Sequence, residues 1–277
     1  MFSVLAIRHR VWPIAILAVA SVAFSAGCGS SSTTGSATSS STTGASAAAG
    51  SSGSRANNAA SPATVFAAAS LTKVFPTIDP KAKYSFGGSG ALETQIEQGA
   101  PADVFAAASP KQPAELLAKH LIEKPVEFAT NTLVLIVPKG NPAHIHSVGD
   151  ITRPGVKLVI CNETVPCGDY ARNVFTNLGI TTPAMKNVVS QTTDVTQTVA
   201  DVALGQADAG FVYITDAKAA NGKIGVVRLP TKAKPQAQDL IAVVKASHHQ
   251  TAARAFVANV MSRRGQAKLR AAGFGKP

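Results

Sequence analysis

Thr64-Val65-Phe66-Ala67-Ala68-Ala69-Ser70-Leu71 and Phe86-Gly87-Gly88-Ser89-Gly90-Ala91-Leu92 share one pattern: an apolar run, a break of small or hydroxyl-bearing residues, then apolar positions at helical spacing. A strand feeding a helix through so short a turn is the repeating unit of an α/β fold with parallel strands. Working outward from these two stretches, the alternation continues to the C-terminus. Further strands are expected at Ala102–Ala106, Thr132–Val137, Lys157–Cys161, Ala209–Val212, Ile224–Arg228 and Asp239–Val244, besides Thr64–Ala68 and Lys83–Phe86. Between them, Leu71, Val74, Phe75 and Ile78, then Leu92 and Ile96, then Tyr170, Val174, Phe175 and Leu178, then Val195, Val199, Val202 and Ala203 each fall on one helical face. Phe256, Val257, Val260 and Met261 mark another amphipathic helix, and Gly99, Gly179 and Gly205 stand where C-terminal caps belong.

Four of these helices open on small or polar residues: Ala69-Ser70, Gly87-Gly88-Ser89-Gly90, Pro166-Cys167-Gly168 and Thr192-Thr193-Asp194. A helix N-terminus leaves N–H groups unpaired and carries about half a positive charge, so it attracts an anion without lysine or arginine. In parallel α/β sheets these ends lie at the carboxyl edge of the strands, where ligands bind. Taken singly, each segment reads as an ordinary helix cap sooner than as a ligand contact. The glycine-rich run is neither a P-loop, since Gly-Lys-Ser/Thr is missing, nor a dinucleotide fingerprint, since no third glycine follows at the required offset. The residues alone therefore describe an α/β domain with an anion-binding option.

The 277 residues include 26 Lys and Arg against 15 Asp and Glu, a formal net charge of +11, with 11 Phe, 3 Tyr and 1 Trp. So few aromatics do not make a base-stacking surface, and the basic excess reads as a solvated face rather than a nucleic-acid site. At the N-terminus Arg8 and Arg10 precede an apolar run from Val11 to Phe24, too short to span a bilayer, and then Ser25-Ala26-Gly27-Cys28. This is expected to be a signal peptide over residues 1–27, whose removal lowers the formal charge by two to +9. Small residues before a single cysteine resemble a bacterial lipobox, with Ser25 where that motif has Leu, and imply cleavage before Cys28 and lipidation of its thiol. Ordinary secretion is the alternative, and both readings export the mature chain. Through residue 61 the sequence is almost wholly Ser, Thr, Gly and Ala, too polar to offset its ordering entropy. It is expected to act as a flexible tether with a mean reach of about 30 Å.

At the helix-opening residues the chain resembles the molybdate-binding proteins, the substrate-binding subunits of molybdate ABC importers. Val65-Phe66-Ala67-Ala68-Ala69-Ser70-Leu71-Thr72 resembles the family's first strand and turn. Its second motif is matched by Phe86 to Leu92, followed by Gln95-Ile96-Glu97-Gln98-Gly99-Ala100-Pro101-Ala102-Asp103-Val104-Phe105. Asn131 to Pro138, Ala209 to Tyr213 with Asp216-Ala217, Gly265-Gln266-Ala267 and Gly273-Phe274 extend the likeness over residues 62–277. The resemblance implies an α/β fold of the periplasmic-binding-protein type II-like class, two α/β lobes with a ligand cleft between them. Residues 62–136 plus 229–277 would form lobe 1 and residues 137–228 lobe 2.

The family's oxyanion contacts fall on Ser70, Ser89, Cys167, Val195 and Tyr213. The two serines would offer hydroxyl and N–H, Cys167 and Val195 a backbone N–H each, and Tyr213 its hydroxyl. Cys167 stands where relatives commonly have Ala; a backbone contact tolerates that change. Within this reading Cys161 and Cys167 form a disulfide in the exported chain and leave Cys28 for lipid, two unpaired buried thiols being the alternative. The implied ligand is molybdate or tungstate, with no cofactor and no cation-ligating metal site. The implied partners are an ABC permease and the membrane, reached through the lipid on the outer face of the cytoplasmic membrane by a monomeric chain.

Two other classes compete. A binding protein of the same fold for another anion such as sulfate shares every feature above. A secreted enzyme fits less well, because Ser70 lacks a Gly-x-Ser-x-Gly elbow and no histidine lies near the serine motifs in sequence. His144-x-His146 and His248-His249 are metal-chelating pairs by type, but their loop-like setting reads as solvated surface, and the Cys161/Cys167 spacing is not Cys-x-x-Cys.

Overall fold

The run from Thr64 to Ala68 forms strand β1, the first element of a computed structural model that describes residues 61–277 apart from Pro235. The expected signal peptide, Cys28 and the tether as far as residue 60 lie outside the described residues. A single 3-10 turn, Ala69–Leu71, follows β1, and the helical period expected from Leu71 to Ile78 yields only a four-residue helix α1, Phe75–Ile78, with Pro76 in its first turn. Then come β2 (Lys83–Gly87), α2 (Ser89–Glu97), β3 (Val104–Ala107), α3 (Lys111–Ala118) and the long β4 (Val126–Pro138). After a 3-10 turn over Val148–Thr152 follow β5 (Leu158–Cys161), α4 (Pro166–Leu178), α5 (Thr181–Lys186), β6 (Val188–Thr192) and α6 (Val195–Ala203). The chain ends with β7 (Ala209–Tyr213), α7 (Ile214–Ala219), β8 (Ile224–Val227), β9 (Gln236–Val243), α8 (Gln250–Met261) and α9 (Arg263–Ala272).

The strands run in the order β2-β1-β3-β9-β4-β7-β5-β6, with β8 also on β4. Parallel pairing, expected throughout, holds for β1 with β2 and β3 and for β5 with β6 and β7. It fails at the centre, where β9 is antiparallel to β3 and β4, and β4 is antiparallel to β7 and β8. The reason is that β4 is thirteen residues long, not six: Val126 to Thr132 pair with β9, and Leu133 to Pro138 pair with β7 and β8. The more polar first part of β4, Glu127 to Asn131, hides the strand from a hydrophobicity reading. Strand β6 was not expected either, because Val188 to Gln191 are partly or fully exposed and read as an edge rather than a core run.

Two apolar packings anchor the halves of this sheet. Phe75 is fully buried with its ring centroid 5.7 Å from Phe128 and 5.4 Å from Phe256, tying α1, β4 and α8 together. Phe175 of α4 meets Phe211 of β7 edge-on at 5.3 Å. Truncating a ring in such a packing leaves a void the neighbours fill only in part. Phe75→Ala is therefore expected to destabilise the domain by about 3–5 kcal/mol, read from the midpoint of urea unfolding; a loss below ~1 kcal/mol would show that Phe75 is not a keystone of this packing.

Candidate functional site

The turns that follow β1, β2, β5 and β6 all point to one place. Ser70 sits in the 3-10 turn after β1, Ser89 is the first residue of α2, Cys167 the second of α4 and Val195 the first of α6, while Tyr213 ends β7. All five line a single pocket of about 10 Å³, together with Gly87, Gly88, Ala108, Val165, Pro166 and Asp194 among others. That is about the room one water molecule needs and far below the roughly 300–1,000 Å³ of pockets for drug-sized molecules, so the space suits only a small solute. No lysine, arginine or histidine is among the residues that line it.

The local sequence explains why donors face the pocket. In α6 the Asp194 carboxylate caps the helix, accepting from the N–H of Thr196 at 2.7 Å and of Gln197 at 3.1 Å, which leaves the Val195 N–H over. In α4 Pro166 brings no N–H to the first position, and the N–H groups of Gly168 and Asp169 both turn back to the Val165 carbonyl, so Cys167 presents the remaining donor. In α2 the cap is Gly88, with no side chain to occupy the Ser89 N–H. Among the described residues none of these three N–H groups has a hydrogen-bond partner. Each belongs to a helix of nine or more residues whose N-terminus carries about half a positive charge, so three give roughly +1.5 without a cationic side chain.

The hydroxyls add to this. Ser70 is 9% exposed, and its Oγ is buried with no partner among the described residues. Ser89, 1% exposed, accepts at Oγ from the Ala108 N–H at 3.2 Å, which leaves its own O–H free to donate. Tyr213 faces the Ala108 carbonyl from the other half of the sheet at 3.5 Å, too long for a good O–H···O bond. Burial pushes the Tyr213 phenol well above its ordinary value, so it stays a donor. Ala108, held by Ser89 and approached by Tyr213, carried no signal in the sequence, because its part is played by backbone atoms.

The segment between β5 and α4 is firmly held. Cys161 and Cys167 are disulfide-bonded with Cα atoms 5.7 Å apart, and the Arg172 guanidinium donates to the carbonyls of Cys161 at 3.2 Å and Gly168 at 3.0 Å. Gly168 is required here, since a Cβ would run into the carbonyls of Cys161 and Asn162. The histidine pairs lie elsewhere: His144, His146, His248 and His249 are all exposed, and of their rings only that of His249 meets a carboxylate, with Nδ1 3.3 Å from Asp103.

Two acids lie near Tyr213, Asp216 partly buried and Asp239 fully buried, and neither was expected to belong to the site. Asp216 accepts from the Tyr213 N–H at 3.1 Å, and burial raises its carboxyl to about 7. Asp239 of β9 is fully buried, neither carboxyl oxygen has a partner among the described residues, and burial with the nearby Asp216 and Glu127 raises it well above the usual carboxylate range.

An acid whose folded-state value is raised favours folding while it stays protonated. Its contribution is complete below the unfolded value near 4 and is lost as pH rises toward the folded value, near 7 for Asp216. The thermal midpoint should therefore fall between pH 4 and 7, and Asp239→Asn should flatten that slope; a midpoint that rises across this range contradicts the assignment. Thiol titration of the unfolded, unreduced mature domain should find neither Cys161 nor Cys167 reactive, and two reactive thiols from these positions would remove the bridge.

A family model for bacterial extracellular solute-binding proteins matches residues 55–275. The chain is 41% identical over 227 residues to the molybdate-binding protein ModA of Mycobacterium tuberculosis, covering 77% of this chain and 84% of that one. It is 31% identical over 209 residues to ModA of Escherichia coli, covering 70% and 80%. The solved periplasmic molybdate-binding protein of Azotobacter vinelandii superposes with a TM-score of 0.69 at 24% identity, over 78% of this chain and 99% of that one, and so shares its fold. The chain belongs to the bacterial extracellular solute-binding proteins and, within them, to the molybdate-binding proteins.

Proposed function

We propose that this protein captures the molybdate dianion, with tungstate as its close competitor, in the pocket of Ser70, Ser89, Cys167, Val195 and Tyr213, and delivers it to an ABC permease. The observation that carries this reading is the set of unpaired N–H and O–H donors around a small pocket with no cationic side chain on its wall. A site whose unpaired groups are donors discriminates by what its guest can accept. A deprotonated tetrahedral oxyanion accepts from every side, whereas protonated phosphate brings its own O–H against a wall of donors and leaves a group unpaired, at a cost of about 1–3 kcal/mol. The likeness to solute-binding transport proteins favours binding over hydrolysis at Ser70.

In this reading residues 62–136 plus 229–277 form one lobe and 137–228 the other, with β4 and β9 crossing between them, and closing the lobes buries the ion. The chain works outside the cytoplasm as a monomer, tethered by lipidated Cys28 at the outer face of the cytoplasmic membrane. The Ser-, Thr-, Gly- and Ala-rich segment before residue 62 gives the domain its reach.

Calorimetric titration of the mature domain with molybdate, tungstate, sulfate and phosphate tests the reading. Molybdate and tungstate should bind far more tightly than the other two. Ser89→Ala should weaken molybdate binding by about 1.5–3 kcal/mol, the usual worth of a hydrogen bond to a charged group. Wild-type protein without measurable affinity for molybdate would refute the function, and an unchanged affinity in the variant would remove Ser89 from the site.

A further inference from the structure

Ser89 reaches the pocket between two glycines whose missing side chains are filled by the opposite half of the molecule. A Cβ on Gly88 would lie 2.5 Å from the Thr193 carbonyl oxygen and 3.1 Å from Cγ2 of Val165, and a Cβ on Gly90 would collide with the Thr164 carbonyl. Neither glycine is needed for a left-handed turn: Gly88 has φ −65° and ψ 135°, and Gly90 lies inside the first turn of α2. Their requirement is for space alone. The backbone they touch belongs to the two turns that open α4 and α6, the turns presenting Cys167 and Val195. Three helix N-termini thus approach one another as closely as these two absent side chains permit.

We propose that Gly88 and Gly90 are the closure stop of this binding protein, positioning residues that set how near the donors of α2 come to those of α4 and α6 and so fix the size of the oxyanion cage. The proposal rests on the molybdate reading but concerns residues that offer no side chain to the ion. A methyl group at either position holds the two halves apart by the width of that group. The amides of Cys167 and Val195 then cannot reach an ion seated on Ser70 and Ser89, and a cage of a different size loses its grip on any one oxyanion.

The test is calorimetry of the mature domain with Gly90→Ala, with Gly88→Ala as the second variant and Gly149→Ala as the control. A Cβ on Gly149 meets only the Ser147 hydroxyl, at 3.5 Å. Alanine favours a helix over glycine, so Gly90→Ala should leave the thermal midpoint of the ligand-free protein unchanged or raised. Its molybdate affinity should nonetheless fall at least tenfold, while Gly149→Ala binds as wild type does. Either pocket variant folding normally and binding molybdate with wild-type affinity would overturn the proposal. Should the wild type prefer another oxyanion of the series, the molybdate reading fails by itself, and the same comparison made with that oxyanion decides the role of the glycines.

Discussion

An amide N–H that is buried without an acceptor costs about 1–3 kcal/mol, and this domain gathers several such donors around one small pocket. Helix starts normally discharge their donors onto caps or water. Here the caps are arranged to leave one behind each time: Asp194 takes two amides of α6 and spares Val195, Pro166 brings none, and Gly88 has no side chain to offer. In the proposed reading, an oxyanion is the acceptor these donors take. A doubly charged oxyanion supplies acceptor lone pairs on every side, and about half a positive charge from each of three helix ends meets most of its charge with fixed dipoles. A lysine in the same place would attract any anion, whereas fixed dipoles favour one of matching size and protonation.

The sheet makes that convergence possible. Strands β1, β2, β5 and β6 are parallel to their neighbours and hand their chains to the turns at the pocket, while the antiparallel β4 and β9 run through the centre of the sheet and join its halves. Tyr213 brings a hydroxyl from the end of β7, next to β4. Asp216 and Asp239 lie behind it, kept toward the neutral form by burial. Ionising them would place like charge close to the guest.

Much of this was legible from residue order, and the unread parts have physical reasons. The strand-to-helix turns at Ser70 and Ser89 announce themselves because small residues interrupt apolar runs, and these two serines line the pocket beside Cys167, Val195 and Tyr213. The N-terminal part of β4 was invisible because Glu127, Thr130 and Asn131 break the apolar pattern of a strand whose neighbours are main-chain partners. Ala108 contributes backbone atoms only, which composition cannot flag. The requirement for glycine at positions 88 and 90 comes from residues more than seventy positions later in the chain, and no local pattern encodes it.

A crystal structure of the mature domain with molybdate, located by the anomalous signal of molybdenum, is the most direct examination of this account. It predicts one metal centre between the two halves, its oxygens at hydrogen-bonding distance from the amides of Cys167 and Val195 and the hydroxyls of Ser70, Ser89 and Tyr213. A lysine or arginine side chain in contact with the ion, or an ion bound away from these residues, would contradict it.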